Sequence, residues 1–164
     1  MSSTDAYVAN SEHYAASFDK GDLPLPPAKG TAVVACMDAR LNPYGVLGLS
    51  EGDSHVIRNA GGVVTDDVIR SLAISQRLLG TSEIILIHHT ACGMLTFRDD
   101  EVKAQIEADT GIRPPFALEA FGDLDGDVRQ SIARIKASPF VPNKGSIRGF
   151  VYEVETGRLR EVKE

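Results

Sequence analysis

The chain has no apolar run approaching the roughly 20 residues needed to cross a bilayer, so no membrane-spanning segment is expected. Its start, Met1-Ser2-Ser3-Thr4-Asp5, is polar and acidic, with no basic region leading into an apolar core. No secretory leader is expected, and the expected location is the cytoplasm. There is no surplus of positive charge; the net charge is −6. That argues against nonspecific binding to nucleic acid or an anionic membrane. There are only two cysteines, too few for a disulfide framework, and a reducing compartment would keep them as thiols. A Cys36–Cys92 disulfide is the less favoured alternative. No internal repeat, low-complexity tract, C-x-x-C pair or G-x-G-x-x-G turn occurs. The missing C-x-x-C speaks against a thiol-redox protein, and the missing glycine fingerprint against a dinucleotide site.

What remains is an ordinary globular composition over 164 residues, enough for one domain with a substantial core. Thr4 to Phe18 reads as a helix with a ragged apolar stripe, and Asp22 to Pro27 as an extended arm, because prolines forbid helix. Such a helix on such an arm has little to pack on in its own chain. Residues 1–28 are therefore expected to lie on a partner subunit, and residues 29–164 to form the domain proper.

Thr31–Cys36 and Glu83–His89 are apolar without alternation, as strands covered on both faces are. Ser54–Arg58 is a shorter strand, and Tyr44–Leu49 a short helix after the Asn42-Pro43 turn. Thr65-Asp66-Asp67 caps a helix whose buried stripe is expected to be Val68, Ile69, Leu72, Ala73, Leu78 and Leu79, stopped by Gly80. Further helices are expected over Asp99–Asp109 and Asp127–Lys136. Ser146–Val154 reads as a strand that Glu155-Thr156-Gly157-Arg158 turns into a last edge strand. The fold class is α/β, a mostly parallel central sheet flanked by helices, with a C-terminal antiparallel hairpin and an N-terminal helical arm.

In such sheets ligands sit beyond the carboxyl ends of strands. Cys36 and His89 both fall there, and Cys92 lies three residues after His89. Two thiolates and one imidazole are ligands that zinc prefers, and three of them leave a fourth position open. Cys36 is too far upstream for a zinc-finger loop, but suits a neighbouring strand. The nearest fourth donor is Asp38. It either closes the site by binding the ion, or pairs with Arg40 and leaves the position to water, whose pKa zinc lowers to roughly 7. His88 alternates with His89 and so points to the other face, as a packed or hydrogen-bonded residue. His13 and His55 carry no motif. Asn59 and the Gly61-Gly62 turn before the Thr65 helix either offer N–H groups to an anion or form a tight strand-to-helix turn. With Gly93 they are the candidate substrate contacts.

Three segments carry a resemblance: Cys36-Met37-Asp38-Ala39-Arg40, Arg58-Asn59-Ala60-Gly61 and His89-Thr90-Ala91-Cys92-Gly93. In this order and spacing the chain resembles a β-class carbonic anhydrase over roughly residues 30 to 155, and most of all the compact members known from actinobacteria. The resemblance implies zinc held by Cys36, His89 and Cys92. It also implies an Asp38/Arg40 catalytic dyad and reversible hydration of carbon dioxide to bicarbonate and a proton. It implies a homodimer with the N-terminal helix laid across its partner, dimers pairing into tetramers in some members, and an aspartate that binds zinc at low pH in some. Three departures stand out. Plant-type members carry a glutamine upstream of the first ligand, but Gln76, Gln105 and Gln130 all lie downstream of Cys36. Members with a second, noncatalytic bicarbonate site use a tryptophan there, and this chain has none. Met37 stands where a small polar residue is usual. Hydrolases of carbonyl sulfide or carbon disulfide resemble the same fold and ligands and are the rival enzymatic reading. A structural zinc domain with Asp38 as permanent fourth ligand is the non-enzymatic one.

Overall fold

The computed structural model describes residues 2–163. Five strands form one sheet: β1 (Thr31–Cys36), β2 (Ser54–Asn59), β3 (Glu83–His89), β4 (Ser146–Tyr152) and β5 (Leu159–Val162). They lie in the order β2-β1-β3-β4-β5; the first four are parallel, and β5 runs antiparallel to β4. This is the expected architecture, C-terminal hairpin included. The register sets Cys36 beside Asn59 and Ala35 beside Ile87, so the carboxyl ends of β1, β2 and β3 share one edge.

The helices are α1 (Ser3–Ala16), α2 (Pro43–Leu47), α3 (Asp66–Arg77), α4 (Asp99–Thr110) and α5 (Leu124–Ala137). One face of the sheet is sealed by α3 and α5. There Ala32, Val34, Ile84 and Leu86 meet Val68, Leu72, Val128 and Ile135 in one buried cluster. Burying each large aliphatic side chain contributes about 1.5–3 kcal/mol. Gly149 lets α5 lie against β4, because a Cβ there would collide with Val128 and Ile132. On the other face Val33, Ala35, Cys36 and Ile87 pack with Leu41, Cys92 and Met94, largely under loops and short turns.

α3 starts as expected, with Thr65 Oγ1 accepting from the Val68 N–H at 3.3 Å and two acids in its first turn. It ends sooner. The helix stops at Arg77, so Leu78 falls off the buried stripe and is 75% exposed, contrary to expectation. The last turn is instead held by buried polar groups. Ser75 Oγ bonds His55 Nδ1 at 2.7 Å and Thr81 Oγ1 at 2.6 Å, and Gln76 exchanges two hydrogen bonds with the Asn143 backbone. α5 begins a turn earlier than its apolar pattern, at an Asp123 cap that accepts from the Gly126 N–H at 3.0 Å. β4 ends at Tyr152, short of Val154.

α1 buries no residue. A capping box between Ser2 and Asp5 starts it, yet Tyr7, Tyr14, Phe18 and, on the arm, Leu25 are exposed. The arm is tied down by Lys20 to Glu51 at 2.8 Å and by backbone bonds from Ala28 to Gly52 and Lys29 to Asp53. Among the described residues, no helix is long and apolar enough to cross a membrane.

Candidate metal centre

Parallel pairing of β1 with β3 brings Cys36 and His89 together at the sheet's edge. After β3 the chain reverses through Ala91, whose φ of 50° is left-handed, and returns Cys92 at the start of a 3-10 turn over Gly93–Leu95. The two sulfurs and an imidazole nitrogen then lie within 4.8 Å of one another, and all three residues are buried. His89 Nε2 is 3.2 Å from Cys36 Sγ, while its Nδ1–H donates to the Thr90 carbonyl at 2.8 Å. That second bond fixes ring and tautomer, so the Nε2 lone pair faces the sulfurs, as a ligand must.

The two thiols are coupled. The Cys92 S–H donates to Cys36 and, with further help from His89, holds Cys36 far below a free thiol. The same bond pushes Cys92 up. Burial drags His89 down, but the bonds to Cys36 and to the Thr90 carbonyl outweigh it and carry the imidazole above its usual value.

Asp38 and Arg40 form the expected fork, Nε to Oδ1 at 2.9 Å and Nη2 to Oδ2 at 2.8 Å, and the Arg40 backbone N–H adds a third bond to Oδ1 at 2.9 Å. The Arg40 side chain, then its backbone, keeps the Asp38 carboxyl well below the usual carboxylate range. Oδ2 is nonetheless only 3.6 Å from His89 Nε2. Arg40 Nη2 also donates to the Ala91 carbonyl at 3.0 Å, linking the loop that carries Cys36 to the loop that carries Cys92.

The other candidate contacts separate. Gly61 and Gly93 line a cavity of about 410 Å³ with Met37, Asp38, Met94 and Phe97. Asn59 and Gly62 are not in its lining. Asn59 spends its amide on the Val63 carbonyl at 2.9 Å, and its own carbonyl accepts the Met37 N–H at 2.8 Å. Gly62 has a φ of +68°, and a Cβ on it would sit 2.8 Å from Cys36 N and 2.9 Å from Ile87 O. The close approach its sequence suggests is made by the strands themselves. His88 does face the other way: its Nε2 bonds Asp127 Oδ2 of α5 at 2.7 Å, against the Phe121 ring.

Arg58 had no assigned role in the sequence beyond its place in a motif. Its guanidinium donates to the carbonyls of Cys36 (2.7 and 2.9 Å), Asp38 (2.9 Å) and Leu41 (2.8 Å), and so carries the whole Cys36–Leu41 loop. The one available signal was its place in the Arg58-Asn59-Ala60-Gly61 segment. Met94, Phe97 and Phe121 had none, since their segments show no periodic pattern.

The carbonic anhydrase family profile matches residues 31–114. Beta-carbonic anhydrase 1 of Mycobacterium tuberculosis is 62% identical over 162 residues, covering 99% of both chains. Carbon disulfide hydrolase of Saccharolobus solfataricus is 35% identical, covering 96% of this chain and 87% of its own. The crystal structure of carbonic anhydrase from Streptococcus mutans superposes with a TM-score of 0.93 at 44% identity, covering 99% of both. The match runs through every strand and both loops that bring Cys36, His89 and Cys92 together, and the chain belongs to the β-carbonic anhydrase family.

Proposed function

We propose that the chain catalyses the reversible hydration of carbon dioxide, CO2 + H2O to HCO3⁻ + H⁺, with zinc held by Cys36, His89 and Cys92. One observation carries the reading. Three soft donors converge within 4.8 Å, while the nearest fourth donor, Asp38, is occupied by Arg40. Two sulfurs and one nitrogen suit zinc, and three protein ligands with a vacant fourth position are the pattern of a catalytic rather than a structural site. When bound, zinc supplies a Lewis acid that brings the ionisation of water to about pH 7.

The chain's own residues do the rest. Thr90 holds the His89 ring through Nδ1–H and leaves Nε2 free for the metal. Arg40 grips both oxygens of Asp38 and keeps the carboxylate ionised, able to accept a hydrogen bond from the attacking water and orient it. With Oδ2 already 3.6 Å from His89 Nε2, a small swing away from Arg40 would make Asp38 a fourth ligand and close the site. Met37, Met94 and Phe97 give an uncharged substrate an apolar approach.

Stopped-flow hydration across pH, on protein of measured zinc content, tests this. The expected result is one zinc per chain and a rate that rises with pH. Protein that holds no zinc and has two freely titrating thiols sinks the reading. Zinc without hydration at any pH leaves the structural-domain alternative. Carbonyl sulfide and carbon disulfide, offered in parallel, test the rival substrates, which the carbon disulfide hydrolases among the relatives keep in play.

The helix and arm of residues 1–28 are proposed to pack on a second copy of the chain in the cytoplasm. The support is that α1 buries nothing of its own while Tyr7, Tyr14, Phe18 and Leu25 stand exposed. The mass in solution tests this: deleting residues 1–28 should turn a dimer into a monomer.

A further inference from the structure

The cavity beside the ligands, about 410 Å³, is far larger than any triatomic molecule. Its total volume therefore cannot select among such substrates. Selection has to come from the wall next to the ligands, and that wall has an unusual construction.

Met94 follows Cys92 by two residues, lines the cavity, and is buried in the same cluster as Cys36 and Cys92. Its side chain and that of Phe121 converge on Gly61 from two directions. A Cβ on Gly61 would lie 3.0 Å from Met94 Cγ and 3.2 Å from Phe121 Cε1, so no spare room is left between them. Phe121 is fixed in turn. Its N–H donates to the Met94 carbonyl at 3.2 Å, and its ring lies 5.5 Å from that of His88. The segment leading to it is clamped by one carboxylate. Asp99, in the first turn of α4, accepts backbone N–H groups from Leu118 (2.8 Å), Glu119 (3.1 Å) and Ala120 (2.9 Å). Glu119 is held there in a left-handed conformation, φ 65°, which persists only where its surroundings over-determine it. The clamp thus holds the segment of Phe121, which packs against the same buried cluster as Met94, Cys36 and Cys92.

We propose that Met94, braced by Phe121 and the Asp99 clamp, is the specificity-determining residue of this cavity: it fixes the width open to a linear triatomic beside Cys92, admitting O=C=O in preference to the bulkier carbonyl sulfide and carbon disulfide. This rests on the hydration reading above. The sulfur substrate needs no change of oxidation state. Water's oxygen bonds to the carbon of carbonyl sulfide, the C–S bond breaks, and sulfur leaves with water's two protons as H2S, giving CO2. Both reactions use the same attack, so width is what remains to separate them. Steric selection of this size is worth about one methylene's discrimination, roughly 10- to 200-fold.

The test compares kcat/KM for carbonyl sulfide with kcat/KM for carbon dioxide on zinc-loaded protein. Met94→Ala is expected to raise that ratio about tenfold, Asp99→Asn to raise it less, and Met94→Leu to leave it within twofold. The ratio is the decisive readout, because general loosening of the fold would lower both activities together. Binding of thiocyanate relative to cyanate, measured by calorimetry, should move in the same direction and needs no turnover. If wild type hydrates carbon dioxide but both ratios stay within twofold in Met94→Ala and Asp99→Asn, the inference is overturned and the hydration reading stands. If wild type hydrates no carbon dioxide, both fall.

Discussion

His88 and His89 are chain neighbours of one residue type, both wholly buried, yet they serve opposite faces of the sheet. His88 turns toward α5, where helices seal the face and Asp127 meets its ring. His89 turns toward two thiols and a carboxylate under a cover of loops. The helix-covered face carries most of the fold's aliphatic burial. The loop-covered face buries fewer aliphatic side chains and instead gathers donors from the ends of β1 and β3 and from the turn that follows β3. A strand's alternation thus lets one segment, Glu83–His89, anchor the fold on one side and the chemistry on the other.

Substitutions can break this contrast, and the largest effect is expected at the ligands. His89→Ala, Cys36→Ala or Cys92→Ala should abolish both bound zinc and hydration, seen by elemental analysis and stopped flow on one preparation. Asp38→Ala or Arg40→Ala should keep the zinc and cost about 10²-fold or more in kcat, the scale of a lost acid–base partner. Full activity of Arg40→Ala at neutral pH would contradict the dyad. Arg58→Ala leaves the carbonyls of Cys36, Asp38 and Leu41 without their common donor. The expectation is about a 10- to 100-fold loss, as for other outer supports of a metal site, together with faster zinc extraction by a chelator.

Across the sheet, the effect should move from activity to stability. His88→Ala removes a buried partner of Asp127 and is expected to cost about 1–3 kcal/mol in denaturant unfolding, with zinc stoichiometry unchanged. Zinc loss in His88→Ala would erase the distinction between the faces. The smallest effect is expected at the surface. Arg160 holds Asp125 in a fork at 2.8 and 2.9 Å and depresses its pKa. Both side chains are substantially exposed, so solvent screening limits the pair to about 0–1 kcal/mol. Because the folded pKa lies below the unfolded one, this contribution is fully present above about pH 4 and is lost as pH falls through the folded value. Asp125→Asn should therefore differ from wild type at pH 7 and converge with it in acid.

The sequence disclosed the site better than the wall around it. Apolar runs too long for alternation marked β1 and β3, and the strand-end rule then brought Cys36 and His89 to one edge. Asp38 and Arg40 were visible because their charges sit two residues apart in one loop. Leu78 was misplaced because periodicity carries no stop signal of its own: the helix ended at Arg77, where Ser75 and Gln76 found polar partners distant in the chain. Arg58 was in plain view, but its partners are carbonyls, which every residue has and no motif records. Phe121 belongs to a stretch without period, and only tertiary structure sets it against Met94 and Gly61. Contacts made through the backbone, or between patternless loops, leave no trace in the order of side chains.

Gly62 shows how far from the chemistry the ligand geometry is decided. It is not itself a candidate ligand, yet one added methyl would wedge against the Cys36 nitrogen on β1 and the Ile87 oxygen on β3 at once. Those two strands carry the first sulfur and the imidazole. The gauge of the metal-binding jaw is thus set by a single hydrogen atom, and an alanine there would act as a shim, prising the two donors apart while every named ligand stayed in place.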